Sequence, residues 1–109
     1  GVPADADFVF DVRCLPNPHW EPNLQPQTGL DKDVIEFLGQ QSDVDAMYEN
    51  IKTFLDAWIP HFEADNRSYM TIAIGCTGGQ HRSVYMAQRL ADAFNAEKDS
   101  VSTRHRDLP

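Results

Sequence analysis

The clearest chemistry in this 109-residue chain sits in Gly75-Cys76-Thr77-Gly78-Gly79-Gln80-His81-Arg82-Ser83. Two adjacent glycines permit positive φ and let a ligand approach the backbone closely. A turn of this kind aims several N–H groups inward, toward the positive end of the helix that follows. Arg82 can add a bidentate contact to phosphate oxygens, and Ser83 a hydroxyl. Cys76, Thr77, Gly78, Gly79, His81, Arg82 and Ser83 are therefore candidate ligand-binding residues for a phosphate or similar anion. The competing reading is a tight Gly-Gly turn with Arg82 in a surface ion pair.

The spacing from Cys76 to Arg82 also fits the Cys-x5-Arg pattern of cysteine-dependent phosphatases. There the loop amides and the arginine lower the thiol pKa, and the thiolate attacks phosphorus. Cys76 is the candidate nucleophile on that reading. Against it, Gly75 stands where such enzymes usually place a histidine. Only Asp11 or His19 offers an obvious general acid. In the structural alternative Cys76 simply packs at a strand end.

Two further groups could reach such a site. His19 lies between prolines in Asn17-Pro18-His19-Trp20, and it is either a surface residue or a substrate contact. Asp11 and Arg13 flank Val12 and so share one side of a strand. They either pair with each other or contact an anion and the hydroxyls of a sugar. No cluster of His, Cys and carboxylates has structural-zinc spacing, so no metal is expected. No Gly-Lys-Ser/Thr occurs, which excludes nucleotide hydrolysis by the P-loop route within this chain.

These residues need elements to hold them. Phe8 to Leu15 reads as a strand stopped by Pro16. Pro16 to Gly29 holds four prolines, which forbid a helix or inner strand and lower the entropy cost of an ordered loop. Val34, Ile35 and Leu38 form a short helical stripe ended by Gly39. Ser42 reads as the N-cap of a longer helix, with Val44, Met47, Tyr48, Ile51, Leu55, Trp58, Ile59 and Phe62 as its core stripe. Pro60 should kink or end it. Met70 to Cys76 reads as a strand covered on both faces. A helix follows from Arg82, broken by Asn95 to Asp99. Ser100 to Arg104 reads as a final strand.

Strands joined by helical crossovers imply an α/β fold with a small parallel, or mostly parallel, sheet flanked by helices in a three-layer-like arrangement. Ligands of such sheets bind beyond the C-terminal strand ends. Three segments should leave that edge together: Arg13 to His19, Cys76 to Arg82, and Arg104-His105-Arg106. They would build one pocket containing Arg13, His19, His81, Arg82 and Arg104.

Composition narrows the partners. The net charge is -8 and hydrophobic residues make up 41% of the chain, an ordinary mix for one globular domain. Residues 1–81 hold 4 Lys/Arg against 13 Asp/Glu, whereas residues 82–109 hold 5 against 4. An acidic body with a local cationic end suits a specific anion better than bulk polyanion binding. No apolar stretch could span a bilayer. Two cysteines in unlike settings suggest a reducing cytoplasm rather than a disulfide framework. The opening Gly1-Val2-Pro3 reads as a domain cut from a longer protein.

At Asp11-Val12-Arg13-Cys14-Leu15-Pro16-Asn17-Pro18-His19-Trp20, Thr28-Gly29-Leu30-Asp31, Asn66-Arg67-Ser68-Tyr69, Gly75 to Val84 and Arg104-His105-Arg106, the chain resembles the C-terminal domain of the RapZ family, RNase adapter proteins. The resemblance covers essentially the whole chain. It implies a domain that binds small regulatory RNA and presents it to RNase E, controlling synthesis of glucosamine-6-phosphate synthase. It also implies sensing of glucosamine-6-phosphate, assembly into oligomers, and no cofactor in this domain. ATP or GTP would bind a separate N-terminal domain with a Walker-type site. The amino sugar's phosphate would sit in the 76–83 turn, with Asp11, Asn17 and His19 serving its ring. Arg89, Lys98, Arg104, His105 and Arg106 would contact RNA. The chain ends Arg106-Asp107-Leu108-Pro109, where some relatives carry a run of Lys and Arg, so RNA affinity should be weaker or depend on oligomerisation.

Overall fold

The computed structural model of the protein describes residues 6–64, 70–77, 80–95 and 101–107, with the side chains of all but Asn95, Arg106 and Asp107. The elements run β1 (Phe8–Asp11), a 3-10 turn (Pro18–Trp20), α1 (Lys32–Gly39), α2 (Ser42–Ala64), β2 (Met70–Cys76), α3 (Arg82–Asn95) and β3 (Val101–Asp107). The strands form an open, parallel sheet in the order β1-β2-β3. This is the expected small α/β architecture.

The uncharged run Met70 to Cys76 becomes the central strand, and every residue in it is buried. Register puts Phe8 and Phe10 beside Ile72 and Ile74, and Thr103 beside Ile72, so these side chains share a face. Both long helices pack there. On the α2 side, the Phe8 ring meets Phe54 at 5.6 Å and Phe62 at 5.4 Å. On the α3 side, Thr103 Oγ1 donates to the Ala87 carbonyl at 2.9 Å. Val34, Leu38, Ile51, Leu55, Ile59, Met86, Leu90 and Phe94 complete one continuous core. The helical periodicity seen in the sequence is thus largely the packing stripe of each helix, except that Ile35 and Trp58, placed in those stripes, lie at their margins and are 43% and 48% exposed.

Four local expectations change. β1 ends at Asp11 rather than Leu15, because the Asp11 carboxylate accepts from the Arg13 amide at 2.9 Å and turns the chain. The amides of Val44 and Asp45 donate to the Gln41 carbonyl, so Ser42 is the first residue of α2 rather than its cap. Pro60 does not end α2, which runs on to Ala64. The missing N–H removes one bond near the end of a helix that Ile59 already anchors in the core. Finally, β3 extends to Asp107, so Arg104, His105 and Arg106 lie within the strand, paired with Ala73, Ile74 and Gly75, and do not leave its end. Gly78, Gly79, Lys98, and the segments Asn66 to Tyr69 and Ala96 to Asp99 lie outside the described residues.

The proline-rich connection ends in a tight turn. Thr28 N–H donates to the Asp31 carboxylate at 2.7 Å and Leu30 N–H to Thr28 Oγ1 at 3.2 Å. Gly29 N–H donates to the Gln80 carbonyl at 2.9 Å. This contact presses Gly29 against the first turn of α3. A Cβ there would stand 2.3 Å from the His81 carbonyl oxygen and 2.4 Å from the Tyr85 nitrogen. Both are backbone atoms, so neither can swing aside. Gly29→Ala should therefore destabilise the protein by about 3 kcal/mol or more. Thermal unfolding checks this; a melting temperature close to the wild type would show that the turn is not seated as described.

Candidate functional site

Two loops meet where α3 begins. The first leaves β1 and carries Asn17, His19 and Trp20; the second leaves β2 and carries Thr77, Gln80 and His81. Between them lies a cleft of about 300 Å³ lined by those six residues. It stands at the C-terminal edge of the parallel sheet, where the fold class places ligands.

Each loop is ordered by identifiable bonds. Asn17 Oδ1 accepts from the His19 amide at 3.0 Å and caps the 3-10 turn. Glu21 N–H closes that turn on the Pro18 carbonyl at 3.0 Å. The loops are then stitched together. The Gln80 amide donates to the Gln25 carbonyl at 2.8 Å and to the Gln27 carbonyl at 2.6 Å. His81 Nε2 lies 3.0 Å from the Leu24 carbonyl, which can only accept, so Nε2 carries a proton.

Arg82 is buried, at 4% exposure, beneath the cleft. Nη1 donates to the Arg13 carbonyl and, at 3.2 Å, to the Leu15 carbonyl. The first residue of α3 thereby holds the chain leaving β1. Nε is buried with no hydrogen-bond partner among the described residues. No carboxylate lies within ion-pair distance of it there either. A cation at a helix N-terminus opposes the macrodipole's preference for negative charge. The region therefore carries two positive features, and among the described residues no carboxylate pairs directly with the arginine.

Cys76 and Ser83 lie deeper. The Cys76 thiol donates to Ser83 Oγ at 3.2 Å, and Ser83 N–H donates back to Sγ at 3.3 Å. Both are essentially fully buried, so they brace the turn from below and do not line the cleft.

Asp11 and Arg13 stand apart. Arg13 Nε donates to both Asp11 oxygens at 2.9 and 3.1 Å, and Nη2 sits 2.7 Å from Oδ2. These bonds from Arg13 hold the Asp11 carboxyl below its ordinary pKa. The pair is half-exposed, and neither residue lines the cleft. Arg89 is likewise engaged. It donates to Asp45 at 2.8 Å and stacks over the Tyr48 ring at 4.0 Å. Arg104 and His105 are exposed on β3.

The cleft thus gathers Asn17, His19, Thr77 and His81, with Arg82, Cys76 and Ser83 behind it. It does not gather Arg13 or Arg104. Trp20 and Gln80 are the residues that sequence reasoning left out. The available signal for Trp20 was a large aromatic on a loop too rich in proline to bury it; its exposure is 78%.

Two expectations follow. Arg82→Met should cost about 2 to 4 kcal/mol, since it leaves two backbone carbonyls without their donor. A stability change under 1 kcal/mol would contradict the clamp. The Asp11–Arg13 pair, being half-exposed, should show only weak coupling in a double-mutant cycle. Because the Asp11 pKa is depressed, that contribution is present above the ordinary carboxylate pKa. It is lost as pH falls through the lower folded value.

The chain was also compared with known proteins. The family described as the RapZ C-terminal domain matches residues 1–109. A nucleotide-binding protein of Cellvibrio japonicus is 59% identical over 108 residues, covering 99% of this chain and 36% of the relative. Proteins of the same name from Saccharophagus degradans and Methylobacillus flagellatus are also 59% identical, with 37% and 39% of their lengths matched. The chain therefore spans less than two-fifths of these relatives. With a match running its full length, the chain belongs to the RapZ C-terminal domain family.

Proposed function

We propose that this domain is a regulatory binding module. Its cleft takes a small phosphorylated amino sugar, glucosamine-6-phosphate, and its surface contacts small regulatory RNA. In the longer protein it would present that RNA to RNase E and so control synthesis of glucosamine-6-phosphate synthase. ATP or GTP binding, in keeping with the relatives' names, would belong to the remainder of the longer protein.

The observation that carries this reading is the cleft at the start of α3, lined by Asn17, His19, Thr77, Gln80 and His81 and backed by a buried arginine that no carboxylate pairs with directly among the described residues. A phosphate there meets the positive end of α3 and the field of Arg82. The Thr77 hydroxyl can donate to it, and the His81 ring lines the same cleft. Asn17 and His19 offer polar partners to a sugar ring, and Trp20 offers an apolar face. The site has no need of Asp11 or Arg13, which satisfy each other.

RNA contact rests on Arg104 and His105, exposed on β3. Arg89 is held by Asp45 and would have to leave that pair to reach a phosphate. Lys98 and the Arg106 side chain lie outside the described residues and remain part of the proposal.

Titration calorimetry with glucosamine-6-phosphate tests the cleft. His19→Ala and Trp20→Ala remove exposed side chains and should preserve the fold. Each should weaken binding about tenfold, or ~1.4 kcal/mol. Heats equal to the wild type from both variants would remove the site. For RNA, a gel shift with a structured small RNA should weaken linearly in log-log form with salt. Arg104→Ala should lower the slope by about one. No shift at low salt would overturn the RNA half.

A second reading has one observation in its favour. The Ser83 hydroxyl and amide both contact Cys76 Sγ, as a cysteine-dependent phosphatase acting on a small phosphorylated metabolite would require. At 1% exposure the thiol is shielded from an incoming phosphorus, which favours binding without turnover. An activated aryl phosphate should not be hydrolysed above background. Turnover abolished by Cys76→Ser would favour the enzyme.

A further inference from the structure

The two edges of the sheet are built differently. β3 carries Ser102, Arg104 and His105, side chains that keep a solvent-facing edge from pairing. β1 reads Phe8-Val9-Phe10 and is charged only at Asp11. Val12 N–H donates to the Gly75 carbonyl at 2.8 Å, in register with the β1–β2 ladder, so by alternation the Phe8 and Phe10 amides face β2 and those of Val9 and Asp11 face away from it. No strand lies on that side among the described residues. An unpaired apolar edge of this kind is one that proteins normally cover.

The apolar surface continues onto α2. Phe54 packs against Phe8 and Phe10, with ring centroids at 5.6 and 5.8 Å, yet remains 41% exposed. Trp58 lies 6.5 Å from Phe54 and is 48% exposed, and Val9 on the other side of the strand is 42% exposed. One connected patch therefore spans the β1 edge and the flank of α2. It is remote from the cleft, which none of these residues lines.

We infer that this edge is the docking surface for polypeptide N-terminal to the present chain in the longer family members, which adds to β1 as a further strand. Three observations select that occupant. The matching family is a C-terminal domain, and the chain covers only 36% to 39% of the relatives, so most of their length precedes the matched region. The preceding polypeptide enters the fold at β1 itself, where Asp7 bonds Thr71 through both its amide and its carboxylate at 2.8 Å. A segment tethered at that point has a high effective concentration at the edge. Finally, an added strand satisfies the features of the patch together. Its backbone pairs with Val9 and Asp11, while alternate side chains cover Phe54 and Trp58 on one face and Val9 on the other. This inference is independent of the ligand proposed for the cleft.

Hydrogen exchange tests it, comparing the present chain with the longer polypeptide to which its family members extend. The Val9 and Asp11 amides should exchange at least about a hundredfold more slowly in the longer form, as backbone bonds to a new strand require. Val9→Lys is a second arm. It should shift the melting temperature of the present chain by no more than about 2 °C, as an exposed site does, and that of the longer form by about 5 °C or more. Equal exchange in both forms, or equal shifts from Val9→Lys, would overturn the inference. So would protection already complete in the present chain with a doubled mass by light scattering, which would assign the edge to a second copy.

Discussion

The structure depends on one buried guanidinium. Arg82 opens α3, and its Nη1 holds the carbonyls of Arg13 and Leu15 across the sheet edge. Burying a cation at the positive end of a helix is unfavourable by itself. Two carbonyl partners reduce that cost without neutralising the charge. The clamp orders the start of the proline-rich connection and also leaves a positive field beneath the cleft. On the proposed reading the same side chain would serve both the fold and the site, since an oxyanion in the cleft would relieve what the fold leaves unbalanced.

The remaining contacts serve that arrangement. Gln80 and His81 bind three carbonyls of the connection, and Gly29 lets the far end of it lie against the first turn of α3. The connection is long and proline-rich, yet it is fixed at both ends and in the middle to one helix start. His19 and Trp20 are thereby presented on an ordered backbone. The acidic body of the protein, net charge -8, keeps nonspecific polyanions at a distance. On the proposed reading, the local positive field at the cleft would still admit a small anion.

Much of this was legible from the residues. The uncharged run before Cys76 specified a covered central strand, and the 3.6-residue stripes specified the packing faces of α1, α2 and α3. Alternation of strand and helix then dictated a parallel sheet. What the sequence hid was side-chain choice among competing partners. Asp11 and Arg13 sit near the site in sequence, but a local carboxylate captured the guanidinium first. Arg89 met Asp45 and Tyr48 from a helix distant in the chain. Arg104 lies on the strand because pairing with β2 continues past the point where apolar alternation stops. Gln80 gave no signal, since its role depends on carbonyls more than fifty residues away in sequence.

The central claim is that the start of α3, charged by Arg82 and roofed by the proline-rich connection, grips an oxyanion. A crystal structure of the protein with glucosamine-6-phosphate tests it most directly. The account predicts the phosphate within hydrogen-bond distance of Thr77 and of the amides opening α3, with the sugar ring beside Trp20. A fully occupied ligand seated elsewhere, or its phosphate held by Arg104 on the open strand, would contradict it.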